Sequence, residues 1–141
     1  MINQAKNLLI VDDEPAIRAS MSMLLRELGF QVRTASDGFT ALTAIQNQVP
    51  DMMVSDLNMP GMSGFELLTI VHASYPSIRV IAMSGAFFGD EVPSGVAAHA
   101  FYQKGSSVAC LLRMLGVSPA RKIVGRAERA GVVGNWNQAD A

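Results

Sequence analysis

Short apolar runs alternate with helical stripes along this chain, and turn-forming residues divide each from the next. The run Leu8-Leu9-Ile10-Val11 reads as a first strand and stops at Asp12-Asp13-Glu14. Pro15 then opens a segment in which Ile17, Met21, Leu24, Leu25 and Leu28 recur at helical spacing as far as Gly29. Gln31 to Ala35 alternates as an edge strand does, Asp37-Gly38 turns the chain, and Phe39, Leu42, Ile45 and Val49 predict a second helix ended by Pro50. A third strand covers Met52 to Ser55 and leads into the loop Asp56-Leu57-Asn58-Met59-Pro60-Gly61-Met62, where Pro-Gly signals a turn. Ser63 is placed to cap a third helix with Phe65, Leu68, Val71 and Tyr75 on its buried face and Pro76 beyond its end. Arg79 to Met83 reads as a fourth strand ending at Ser84-Gly85, apolar throughout from Val80 as expected of a strand covered on both faces.

Between Ala86 and His99, Gly89, Pro93 and Gly95 predict a fourth helix that is short or irregular. Ala100-Phe101-Tyr102-Gln103 makes a brief fifth strand ending at Lys104, and Val108, Leu111, Leu112 and Leu115 mark a last helix. Five strand-helix units of this length predict an α/β fold, a parallel doubly wound sheet whose right-handed crossovers place helices on both faces.

Length changes this picture little: 141 residues, 50% hydrophobic, suffice for one domain with a real core. That domain is expected over 1–117, with 118–141 as a C-terminal extension. Pro119 can open a short helix there, with Ile123, Val124, Ala127 and Ala130 on one side, while Gly134 to Gln138 reads as disordered. Net charge is −1 but uneven: seven Lys/Arg face ten Asp/Glu through Gly116, and four face two in the remainder. No run makes the concentrated basic stripe of a nucleic-acid reader, so direct nucleic-acid binding is not expected. Cys110 is the only cysteine, which excludes an intramolecular disulfide and CxxC chemistry. With no signal-peptide pattern and no stretch long enough to span a bilayer, the expectation is a cytoplasmic protein away from membranes.

Mapping polar residues onto the sheet identifies the chemistry. Asp12 and Asp13 close the first strand, Asp56 the third, Ser84 the fourth and Lys104 the fifth, all on the edge where α/β proteins hold ligands. Singly, each has a bland reading: the acidic triplet as a helix cap, Asp56 as a turn acid, Ser84 as a strand-end hydroxyl, Lys104 as a solvated surface residue. Together, three carboxylates, a hydroxyl and an ammonium describe a Mg²⁺ and phosphoryl site. His72 and His99 lack partners at ligand spacing and read as surface residues. The nine methionines, Met52 and Met53 in particular, read as core filler, and Cys110 as a small packed hydrophobe.

From about Lys6 to Leu115 the chain resembles the receiver domains of two-component response regulators. The matching pieces are the acidic pair in Leu-Ile-Val-Asp-Asp-Glu-Pro, the segment Asp56 to Gly64, Ser84-Gly85 and Lys104. The resemblance implies a flavodoxin-like fold with strand order 2-1-3-4-5 and a stand-alone receiver. In it Asp56 is the phosphoacceptor, and Mg²⁺ is held by Asp13, Asp56 and the Asn58 backbone carbonyl, with Asp12 acting through water. Lys104 pairs with the phosphoryl group, Ser84 donates to it, and movement of Ser84 lets the aromatic Phe101 report the change on the face of strands four and five. Glu14 is then only a helix-start residue. The implied partners are a sensor histidine kinase or histidine phosphotransfer protein and a downstream protein target; homodimerisation on phosphorylation is left open. No activity is implied beyond phosphorylation and dephosphorylation of the protein itself.

Three departures from the family pattern stand out. Phe101 lacks the hydroxyl of the tyrosine often found there, Gly105 replaces the usual proline after Lys104, and the fourth helix is broken. Two other readings remain beside the receiver. A haloacid dehalogenase-like Mg²⁺-dependent phosphohydrolase also uses a nucleophilic Asp and a Lys on such a sheet, but normally shows Asp-x-Asp after its first strand. A receiver fold kept only for binding is the other.

Overall fold

A computed structural model describes residues 6–85 and 92–117. Nine elements follow in order: β1 (Asn7–Val11), α1 (Pro15–Glu27), β2 (Gln31–Ala35), α2 (Gly38–Asn47), β3 (Met52–Asp56), α3 (Gly64–Ser74), β4 (Arg79–Ser84), β5 (Ala100–Gln103) and α4 (Val108–Met114). The five strands pair in parallel in the order β2-β1-β3-β4-β5. Parallel neighbours need crossovers, and the period-2 alternation of side chains sends each strand's residues to two separate cores.

Leu8, Ile10, Met52, Val54, Ile81, Met83 and Tyr102 pack on one face with α1 and α4. Leu9, Val11, Met53, Val80, Ala82 and Phe101 pack on the other with α2 and α3. The central strands β1, β3 and β4 are thus covered on both sides, which is why their sequences are apolar without alternation. Met52 and Met53 are both buried, and half-buried Cys110 packs against the first core. Among the described residues no helix is long and apolar enough to cross a membrane.

The helix starts set the phase of the helices, and here two expectations change. Asp37 does more than turn the chain: its side chain accepts from the Thr40 N–H in a reciprocal capping box that starts α2 at Gly38. The buried face is therefore Gly38, Ala41 and Ile45, leaving Phe39 63% exposed and Val49 beyond the helix end. A Cβ at Gly38 would strike the Met62 side chain, which would have to move to admit it. Ser63 caps α3 as expected, forming a capping box with Glu66. On α3, however, Leu67 is fully buried beside Leu68 and Val71, while Phe65 and Tyr75 sit half-buried at the ends.

His99 is exposed, as expected, and it also pairs with β4. Its Nδ1 accepts the Val80 N–H at 2.9 Å, and its own N–H donates to the Val80 carbonyl at 2.8 Å, so the side chain extends the β4–β5 pairing by one step. Residues 92–99 contain no helix, only a turn at Ser94-Gly95. The rest of the expected irregular fourth helix, and the expected extension 118–141, fall outside the described residues.

Candidate functional site

The carboxyl ends of β1, β3, β4 and β5 meet at one edge of the sheet, and the local sequence fixes how closely. Gly64, the first residue of α3, lies so near the end of β3 that a Cβ would run into the Asp56 carbonyl oxygen and the Leu57 Cα. Its N–H donates to the Leu57 carbonyl at 3.1 Å, and the Leu57 N–H reaches the Met83 carbonyl of β4 at 2.9 Å. The loop after Asp56 is thereby folded back tightly, which holds the carboxylate at the edge rather than letting it swing into solvent.

Asp12, Asp13 and Asp56 each offer a carboxylate oxygen within 4.8 Å of the others. Asp12 and Asp56 are buried and Asp13 is exposed, so the cluster has a dry side and an open one. The Asp12 Oδ1 accepts the Glu14 N–H at 2.8 Å, and the Arg18 guanidinium donates to the Asp12 backbone carbonyl at 2.7 Å, fixing the β1–α1 turn from both sides. The acidic triplet is thus not a helix cap: Glu14 occupies the N-cap position of α1 without a side-chain capping bond.

Lys104 is the one cation that reaches the carboxylate oxygens here among the described residues; Arg18 binds only the Asp12 backbone carbonyl. Its Nζ lies 2.9 Å from Asp12 Oδ2, 3.2 Å from Glu14 Oε1 and 3.3 Å from Asp56 Oδ2. The Asp12 contact is an ion pair to a buried oxygen that receives no other hydrogen bond among the described residues. Four carboxylates against the Lys104 ammonium and the Arg18 guanidinium leave the edge short of positive charge. Burial is the main cause that pushes the Asp56 carboxyl up to about 6, outweighing the Asn58 N–H and the Lys104 charge. Burial likewise raises Asp12. For Lys104, burial acts downward, but the hydrogen bond and charge of Asp12, then the charge of Asp56, outweigh it and raise the ammonium above its ordinary value.

An all-oxygen donor set and carboxylates in excess of the cations that face them fit a hard divalent cation. Asn58 and Ser84 lie on the same edge. The Asn58 N–H donates to Asp56 Oδ1 at 3.1 Å, and its side-chain amide donates to Ser84 Oγ at 2.8 Å. The Lys104 N–H donates to the Ser84 carbonyl at 3.0 Å, tying the end of β5 to that of β4. Gly105 takes a φ of +93°, and the buried Tyr102 hydroxyl donates to the Ser106 carbonyl at 2.7 Å, so the loop that lacks proline is fastened by another means. Phe101 is apart from this cluster: it is fully buried in the core on the α2–α3 face, a core against which half-buried Val92, Val96 and Ala97 also pack.

All of the expected site residues except Phe101 therefore share one edge. Sequence reasoning missed Arg18, gave Glu14 no role beyond starting the helix, and quoted Gly64 only as the end of the matching segment. A cation just past the first turn of a helix, where the dipole disfavours it, was the available signal for Arg18.

The comparisons with known proteins agree with this geometry. The family model of the response regulator receiver domain matches residues 8–103. The chain is 37% identical over 81 residues to the probable transcriptional regulatory protein TcrX of Mycobacterium tuberculosis, covering 57% of this chain and 35% of that one. It is 42% identical over 74 residues to the chemotaxis protein CheY-3 of Vibrio cholerae, covering 52% and 57%. The chain thus spans between a third and three fifths of the length of these curated relatives. Among solved structures, the response regulator TrrA of Thermotoga maritima in complex with Mg²⁺-BeF superposes with a TM-score of 0.72 at 28% identity, over 79% of this chain and 96% of that one. TrrA in complex with the histidine kinase ThkA gives 0.67 at 27% identity, over 78% and 98%. Sheet order, matched span and solved relatives leave no room for the phosphohydrolase alternative: the chain belongs to the response regulator receiver domain family.

Proposed function

We propose that this domain accepts a phosphoryl group on Asp56 and passes the change to a protein partner. The observation that carries the reading is the buried Asp56 carboxylate, held between the Lys104 ammonium at 3.3 Å and the Asn58 N–H at 3.1 Å. Asp56 Oδ attacks the phosphorus of a phosphohistidine on a kinase or phosphotransfer protein. The P–N bond breaks, the O–P bond of an acyl phosphate forms, and the departing imidazole takes up a proton.

Asp13, Asp56 and the Asn58 backbone carbonyl would hold Mg²⁺, with Asp12 behind them through water; the ion supplies charge neutralisation for the transferring group. Lys104 then exchanges its carboxylate partners for a phosphoryl oxygen, and the Ser84 hydroxyl donates to another. Movement at Ser84 is transmitted through the end of β4 to Phe101 and the segment over it, where a partner reads the altered packing.

Residues 1–117 form the receiver on this reading, and 118–141 an extension outside it. A cytoplasmic location follows from the same reading, because its phosphodonor chemistry is intracellular. Incubation with Mg²⁺ and acetyl phosphate should leave a stable acyl phosphate on the wild type and none on Asp56→Asn. Absence of any modification would instead leave a domain kept for binding.

A further inference from the structure

Asn58 touches three parts of the proposed site at once. Its N–H binds the Asp56 carboxylate, its carbonyl belongs to the proposed ligand set, and its side-chain amide donates to Ser84 Oγ across the gap between the loops after β3 and β4. The last contact has no counterpart in the proposed chemistry. Ser84 is fully buried and ends β4, where the Lys104 N–H holds its carbonyl, so its backbone has little freedom. At 2.8 Å the amide ties the hydroxyl to the Asn58 loop. A new phosphoryl oxygen on Asp56 competes with that tether for the position of Oγ.

We propose that the Asn58 side chain is a latch that holds Ser84 in its resting position and so sets how far the switch lies towards rest before modification. The inference rests on the receiver reading above and assigns Asn58 a positioning role distinct from that of its backbone carbonyl. A hydrogen bond between neutral groups is worth about 0.5–1.5 kcal/mol net, which corresponds to a roughly two- to tenfold bias of the resting equilibrium. Asn58 is exposed, so shortening it removes the tether without opening a cavity.

The test follows the amide resonances of Ser84, Gly85 and Phe101 by ¹H–¹⁵N NMR, first without additions and then with Mg²⁺ and beryllium fluoride, in wild type, Asn58→Ala, Ser84→Ala and the double variant. The latch predicts that resting Asn58→Ala is displaced along the line joining the wild-type end points, with a two- to tenfold larger switched population. Asn58→Ser, also too short to reach Ser84, should repeat this. In the Ser84→Ala background the Asn58 substitution should add nothing, because there is no hydroxyl left to hold. If wild type responds to Mg²⁺ and beryllium fluoride but resting Asn58→Ala coincides with resting wild type, the latch is wrong and the receiver reading stands. If wild type itself does not respond, both fall.

Discussion

Asp37 and Asp56 are the same residue type on the same edge of the sheet, one after β2 and the other ending β3, and their surroundings give them opposite character. Asp37 is solvated and accepts from both the Thr40 N–H at 2.8 Å and the Thr40 hydroxyl at 3.0 Å; the N–H bond is the main reason its carboxyl is held below the ordinary value. Asp56 is buried, receives one backbone N–H and a long contact to Lys104, and is pushed up to about 6 by that burial. One carboxylate is stabilised by the fold and organises a helix. The other is kept under-satisfied beside a second buried carboxylate, which disfavours the metal-free fold and leaves an acceptor in need of a cation and a reaction partner. Position at a strand end is shared; desolvation is what separates a cap from a candidate acceptor.

Exchanging the two residues' fates is the strongest way to break this comparison. Asp56→Asn should abolish phosphate incorporation from acetyl phosphate completely, yet raise stability in chelator at pH 7 by on the order of 1–3 kcal/mol, since a neutral amide avoids the cost of burying charge. Urea denaturation reads the second effect. A destabilised Asp56→Asn would mean that Lys104 fully compensates the buried carboxylate.

Lys104→Ala comes next in size. Removing the ammonium leaves Asp12 and Asp56 buried without their counter-ion, and the expected loss at pH 7 is about 2–3 kcal/mol, reduced from that of a fully buried pair by partial solvent access. The domain should still fold, and modified protein should bind its partner as weakly as the unmodified form does. Equal binding by phosphorylated wild type and phosphorylated Lys104→Ala would remove Lys104 from the switch.

The contrast also explains how much was legible in the sequence. Strand positions and the gathering of Asp12, Asp13, Asp56, Ser84 and Lys104 at one edge were readable, because apolar runs in a parallel sheet must be buried and their ends must then coincide, whereas the sheet order came only from the family resemblance. The phase of α2 was not. Phe39 and Val49 suit a helical stripe by hydrophobicity, but the Asp37 cap fixes the start of the helix and turns the small residues Gly38 and Ala41 inward. Glu14 escaped for a related reason: its link to Lys104 joins residues 90 positions apart, and no local pattern encodes it. The Asn58–Ser84 bond, 26 positions apart, was hidden in the same way.

The smallest effects sharpen the comparison by sign rather than size. Ser63→Ala should cost about 1 kcal/mol as an ordinary lost cap, and Asp37→Ala should lower the thermal midpoint by a few degrees while leaving acyl phosphate formation intact. Their pH dependence should differ from that of Asp56. A carboxyl held below its unfolded value, like Asp37, stabilises the fold above the ordinary value of 3.8, and that contribution is lost as pH falls through its folded value. A carboxyl raised to about 6, like Asp56, takes up a proton in the folded state while the unfolded chain is still ionised. Its penalty therefore shrinks as pH falls from about 6 towards 3.8. Subtracting the stability of Asp56→Asn from that of wild type in chelator should give a difference that closes over that interval. The same subtraction for Asp37→Ala should stay flat there and change only at lower pH. A wild-type minus Asp56→Asn difference that is constant between pH 7 and 4 would show that Asp56 is no less comfortable when charged than Asp37, and the distinction between cap and acceptor would have to rest on Lys104 alone.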